Sequence, residues 1–160
     1  MFLLVPLLIL VLVVTACGFL GYGGGRTADW LARRAQLPTA LRGFAALAGA
    51  MAALVYTWGL LYVVGAILEA EDGGTSSSPI MPCRTDARAV HVVDYSVSFL
   101  PLSFVCETND GGSYPADEVP GYVTPVAVGL ALAAAGCAVS SAYVTELRAR
   151  AAVRKGEAEG

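Results

Sequence analysis

The chain has 160 residues, of which 56% are hydrophobic and only 14% charged, with a mean hydropathy of +0.64. Soluble domains carry about 25% charged residues, so this chain is short of the groups that face water. A formal net charge of −3 and the lack of a long basic run argue against a nucleic-acid partner. Arginine outnumbers lysine nine to one, a bias that reads as GC-rich codon usage rather than as a binding signal.

Three stretches are apolar for about the 20 residues that a helix needs to cross the hydrocarbon core. Residues 2–20 and 43–68 contain no charged side chain, and residues 122–143 form the third span. Each run stops at charge or turn residues, so residues 21–42 read as a basic connecting loop and 144–160 as a tail. Residues 69–121 are the only part large enough to fold in water. The predicted fold is therefore all-α and membrane-bound, with three transmembrane helices and a small disulfide-closed extracytoplasmic β-hairpin segment.

The first span poses a choice. Val14-Thr15-Ala16-Cys17 fits the short pattern before a lipid-modified cysteine, which would make Cys17 a mature lipidated end. A signal peptide wants a positively charged start, and Met1-Phe2-Leu3-Leu4 has no charged side chain. Retention as a span is the preferred reading. Gly21-Tyr22-Gly23-Gly24-Gly25 is expected to be a flexible exit from it. Thr27 or Asp29 could cap a short helix through Gln36, with Trp30, Leu31 and Leu37 in the headgroup layer. A plain positive connector explains the loop as well, and more simply.

Charge sets the orientation. The loop carries Arg26, Arg33, Arg34 and Arg42; the tail carries Arg148, Arg150, Arg154 and Lys155. Residues 69–121 hold Arg84 and Arg88 against nine acidic residues. Loops rich in Arg and Lys stay in the cytoplasm, which predicts a multi-pass cell-membrane protein with its N-terminus outside and its C-terminus inside.

Small residues line two of the spans. Gly43, Ala46, Gly49 and Ala53 fall on one face, as do Gly129, Ala133, Cys137 and Ser140. Such faces let helices approach closely, within this bundle or against a protein partner or a second copy. Alanine bias of the genome is the plainer explanation of the same pattern.

In the outer segment, residues 72–78 form a flexible leader and Asn109-Asp110-Gly111-Gly112 a turn. Val93, Tyr95, Val97 and Phe99 alternate with Asp94, Ser96 and Ser98, the period of a strand with one apolar face. After Pro101, Leu102, Phe104 and Cys106 begin a second strand. Two strands alone are marginal in water and need a cover. Cys83 and Cys106 share the oxidising side and are expected to pair, worth about 3 kcal/mol for a loop of this size. Cys17 and Cys137 sit in apolar spans and read as packing residues.

Several chemistries find no support. His91, Asp94 and Ser98 resemble hydrolytic parts, but His91 and Asp94 would point to opposite faces of a strand. A single histidine beside two oxidised cysteines makes no zinc site, and the glycine run lacks the Lys-Ser/Thr of a phosphate loop. No span has a charged residue at its centre, as a pump or transporter would, and Tyr56, Thr57 and Trp58 in the second span are as easily explained by helix packing. No catalytic residue, metal or other cofactor is assigned.

Phe99-Leu100-Pro101-Leu102-Ser103, then Cys106, then Val119-Pro120-Gly121-Tyr122-Val123-Thr124-Pro125 entering a span resembles a stretch of certain bacterial proteins. These are small uncharacterised multi-pass membrane proteins of Streptomyces and related actinobacteria, in which Asn usually stands where Thr124 does here. The resemblance covers residues 99–125, implies bacterial membrane residence and implies no activity. The expected role is a non-enzymatic membrane protein that acts by association, as an accessory subunit, anchor or small sensor. The alternative is a component of a membrane enzyme or transport complex whose site forms only with partners. Clustering of Glu69 and Asp117 with Arg84 or Arg88 at the span ends would favour it. A weaker option within the binding class is an immunity protein against a cell-envelope toxin.

Overall fold

A computed structural model of the chain describes residues 4–33, 37–72, 81–84 and 92–158. Three long helices are joined to a small sheet: α1 (Leu4–Arg33), α2 (Leu37–Asp72), a 3-10 turn (Met81–Cys83), β1 (Val92–Phe99), β2 (Leu102–Thr108), β3 (Ser113–Pro115) and α3 (Val123–Ala158). All three helices are long and apolar enough to cross a membrane, which makes this a multi-pass membrane protein. Few residues in their most apolar 18-residue windows are buried by the rest of the chain: 11% in α1, 28% in α2 and 11% in α3.

The chain divides into two compact units, one of Met1–Val11 with Val55–Val126, the other of Leu12–Leu54 with Ala127–Gly160. The second unit corrects the reading of residues 21–42 as a loop. α1 runs without a break through Gly21–Gly25 to Arg33, and α2 starts at Leu37, with Pro38 in its first turn where a missing N–H costs nothing. Of this glycine run, Gly23 is where the neighbouring helix needs the room. A Cβ on Gly23 would lie 3.0 Å from the Gly43 carbonyl oxygen, and one on Gly43 would lie 2.8 Å from the Thr27 methyl. Thr27 is inside α1, not at a cap; its hydroxyl donates to the carbonyls of Gly23 (2.9 Å) and Gly24 (3.0 Å). Gly43 and Ala46, expected on a packing face, are buried against α1 of the same chain.

The small residues of α3 behave differently. Its packed stripe is Val123, Ala127, Leu130, Ala134, Cys137, Ser141 and Val144, spaced alternately by four and three residues in the manner of a coiled-coil seam. Of the expected line Gly129, Ala133, Cys137 and Ser140, only Cys137 belongs to it, and the other three are exposed. The buried hydroxyl is that of Ser141, which donates to the Ala138 carbonyl at 2.8 Å.

The first unit holds the sheet, antiparallel in the order β1-β2-β3. The expected hairpin is present, and a third strand extends it. Thr108 to Gly112 make the turn between β2 and β3, closed by Thr108 N–H to the Gly112 carbonyl (2.9 Å), with Gly111 at a φ of 80° that favours glycine. The register pairs Tyr95 with Cys106, Val97 with Phe104 and Phe99 with Leu102, and Cys106 with Tyr114. These residues share one face. A bulge between Val92 and Asp94 shifts the start of β1, so Val92 joins that face at 6% exposure while Val93 turns out at 64%. The sequence period alone had put Val93 inward.

The cover that the sheet needs comes from the last turns of α2. Ala66, with Ile67 and Ala70, packs against Cys83, Val92, Phe104, Cys106, Tyr114 and Ala116. Deeper in the unit, Gly59 of α2 meets the start of α3 and of β2. A Cβ there would lie 2.5 Å from Val123 Cγ1 and 2.7 Å from Leu102 Cδ2. Gly59→Val is therefore expected to destabilise the unit by about 1–3 kcal/mol through overpacking, read as a lower unfolding temperature in detergent.

Candidate functional site

The strongest candidate is the surface where the sheet meets the ends of α1 and α2, all within the first unit. Its frame is covalent on one side. Cys83 and Cys106 form a disulfide with Cα atoms 6.1 Å apart, closing a separation of 23 residues. Both cysteines are fully buried, and Tyr114, from the strand that sequence reading missed, donates its hydroxyl to the Cys83 carbonyl at 2.9 Å. The only signal for Tyr114 was a lone aromatic between Ser113 and Pro115, too short for a period to register.

Aromatic and polar contacts hold β1 in place. Tyr95 stacks on Phe104 with ring centroids 4.9 Å apart and planes at 17°. Its hydroxyl donates to Glu71 Oε1 at 3.2 Å, tying the strand to the end of α2. Burial, and then the Glu71 carboxylate with Asp94 nearby, pushes the Tyr95 phenol above its ordinary value, so it remains a donor throughout the neutral range. Asp94 Oδ1 accepts the Tyr95 backbone N–H at 2.8 Å. At the other end of the strand, Tyr56 of α2 donates its hydroxyl to the Phe99 carbonyl at 2.7 Å. The Leu102 N–H donates to Thr124 Oγ1 at 3.0 Å, which ties the start of β2 to α3.

Two cavities flank this frame. The larger, about 450 Å³, lies along β1 and is walled by the first turn of α1 (Leu4, Val5, Pro6), by Val64, Ile67 and Leu68 of α2, and by β1 itself. The smaller, about 280 Å³, lies on another side of α2, where Glu69 and Glu118 share a space with Trp58, Tyr62 and Gly65. The expected cluster was Glu69 and Asp117 with Arg84 or Arg88. The structure brings Glu118 to Glu69 instead and leaves Asp117 exposed. Arg84 is exposed and does not line the cavity, while Arg88 lies outside the described residues. His91 also lies outside them, so the geometry of the His91, Asp94 and Ser98 set is not described; Asp94 and Ser98 share the polar face of β1. Among the described residues no three His, Cys, Asp or Glu side chains are grouped to hold a metal ion.

The arginines gather elsewhere. Arg26 and Arg42 with Arg148, Arg150, Arg154 and Lys155 all belong to the second unit. Arg26 stands over the Tyr22 ring at 5.2 Å, and Arg42 donates to Thr145 Oγ1 at 3.4 Å, which joins the start of α2 to the end of α3. Arg150 pairs with Glu146 at 2.9 Å one helical turn away, an exposed contact of little energetic weight. Arg34 lies outside the described residues, and Arg33 closes α1.

No protein-family model, curated protein or solved structure matches the chain.

Proposed function

We propose that this protein is a non-enzymatic membrane component that works by association, as an accessory subunit, anchor or small sensor. In this reading its N-terminus and the disulfide-closed sheet face the outside and its C-terminus the cytoplasm. The orientation is supported by the arginines of residues 21–42 and 144–160 set against the acidic excess of residues 69–121. The association is supported by one observation above others. Gly129, Ala133 and Ser140 lie exposed on α3, within its candidate span, and a Cβ on Gly129 or Gly136 would meet nothing within 4 Å. Lipid offers no hydrophobic drive for helices to meet, so close approach along small residues is how such helices find partners.

The test is the state of the detergent-solubilised full chain. A stoichiometric partner or a homo-oligomer should be recovered, and Gly129→Leu with Ala133→Leu should weaken it by about tenfold. The same pair should leave the monomer's unfolding temperature unchanged, because both positions are exposed on α3. A monomer that captures nothing in crosslinking would count against the proposal. The second reading, a component of a membrane enzyme or transport complex, is favoured by Glu69 and Glu118 sharing one cavity at the end of a span. Loss of a complex's activity on Glu118→Gln, with assembly intact, would select it.

A further inference from the structure

We infer that the cavity along β1 is a binding site for the acyl chain of a phospholipid whose headgroup carries an amine. This inference is independent of the association reading. The cavity's volume of about 450 Å³ falls in the range of small-molecule sites, and its walls are mostly aliphatic: Leu4, Val5, Val64, Ile67, Leu68 and Val97. Two observations choose the occupant. The first is continuity with the lipid-covered surface. Leu4 and Leu68 belong to candidate spans, are 61% and 51% exposed, and form part of the cavity wall, so hydrocarbon entering it never leaves an apolar surface.

The second is charge. Asp94 lines the cavity, and Tyr95, which also lines it, donates its hydroxyl to Glu71; among the described residues no lysine or arginine lines it. The Asp94 carboxylate in the wall of an apolar cleft, with Glu71 bonded to the neighbouring Tyr95, favours an ammonium group and disfavours a purely anionic head. Ser96, also in the lining, adds a hydroxyl able to bond the ester or phosphate region.

A strand-like peptide is the main rival, since β1 is an edge strand. That edge is already engaged at both ends, by Asp94 on the Tyr95 N–H and by Tyr56 on the Phe99 carbonyl. An added strand would have to displace both, and a hydrocarbon chain displaces neither.

The experiment uses the full chain in nanodiscs with trace diazirine-acyl phosphatidylethanolamine or, separately, diazirine-acyl phosphatidylglycerol, with adducts mapped by mass spectrometry. Adducts on Val64, Ile67 and Val97 should exceed those on the exposed α3 residues Leu132 and Val139 by about fivefold. The ethanolamine lipid should label those wall positions about threefold more than the glycerol lipid, and Asp94→Asn with Glu71→Gln should erase that preference. Val64→Trp should remove labelling of β1 by both lipids, with the intact disulfide reporting that the variant is folded. Even labelling of cavity and α3 means annular lipid only and overturns the inference, as does equal labelling by the two lipids. Spontaneous disulfide dimers of Val97→Cys, without lipid adducts at the cavity, would assign the cleft to a second copy instead. The wild-type map decides the matter even where a filled-cavity variant does not fold.

Discussion

Phe104→Ala is expected to cost the sheet about 3–5 kcal/mol, enough to release it from the end of α2. Phe104 is fully buried, stacks on Tyr95, and shares one cluster with both disulfide cysteines, Tyr114 and Ala66. The cover over this face is the end of a single helix, α2, which collapses poorly into the space of a lost ring. Truncation removes the ring's burial and leaves a void lined by Tyr95, Val92 and Ala66 that α2 cannot fill without bending. Limited proteolysis of the solubilised protein reads the outcome. Cleavage should appear between residues 92 and 122 in the variant under conditions that leave the wild type whole. A variant as resistant as the wild type would mean that the disulfide and the edge contacts hold the sheet alone.

The second large effect belongs to that disulfide. Replacing Cys83 and Cys106 together by alanine should lower stability by about 3 kcal/mol, because the unfolded chain then regains the freedom of a closed 23-residue separation. The loss is mainly in the unfolded state, so the variant should keep its strand register and simply open at a lower temperature. Reduction of the wild type should reproduce the shift, provided the reductant reaches a bond between two fully buried cysteines. The comparison separates the two effects: Phe104→Ala changes packing with the bond intact, and the double alanine variant does the reverse. Deleting one cysteine alone is a poorer test, since it leaves a buried free thiol beside Phe104.

The three apolar runs were legible because a helix that crosses lipid must be long and largely uncharged, and composition alone reports that. Where the helices end was not legible. Polarity marks the edge of the hydrocarbon core, but a helix stops only where its backbone is capped or broken, and α2 and α3 each run for 36 residues, about 54 Å. The glycines of residues 21–25 looked like a flexible exit because their partner, Gly43, is remote in sequence. Strand β1 was visible in its alternation, yet its inward set was displaced by one at Val92 and Val93, since nothing in the residue types announces a bulge. In α3 the smallest side chains drew attention, whereas the seam is the four-three spacing from Val123 to Val144. The Cys83–Cys106 pair was readable because only these two cysteines lie in the segment between the second and third spans. The cavity along β1 was not readable, as its walls come from residues 4–6, 64–68 and 94–99.

Which side of the membrane the sheet occupies can be measured directly. Single cysteines placed at Ser113, exposed on β3, and at Ala151, exposed near the end of α3, answer this with a membrane-impermeant maleimide. In intact cells Ser113→Cys should label at once, while Ala151→Cys should label only after the membrane is permeabilised. Labelling of Ala151→Cys in intact cells, with Ser113→Cys protected, would contradict the account.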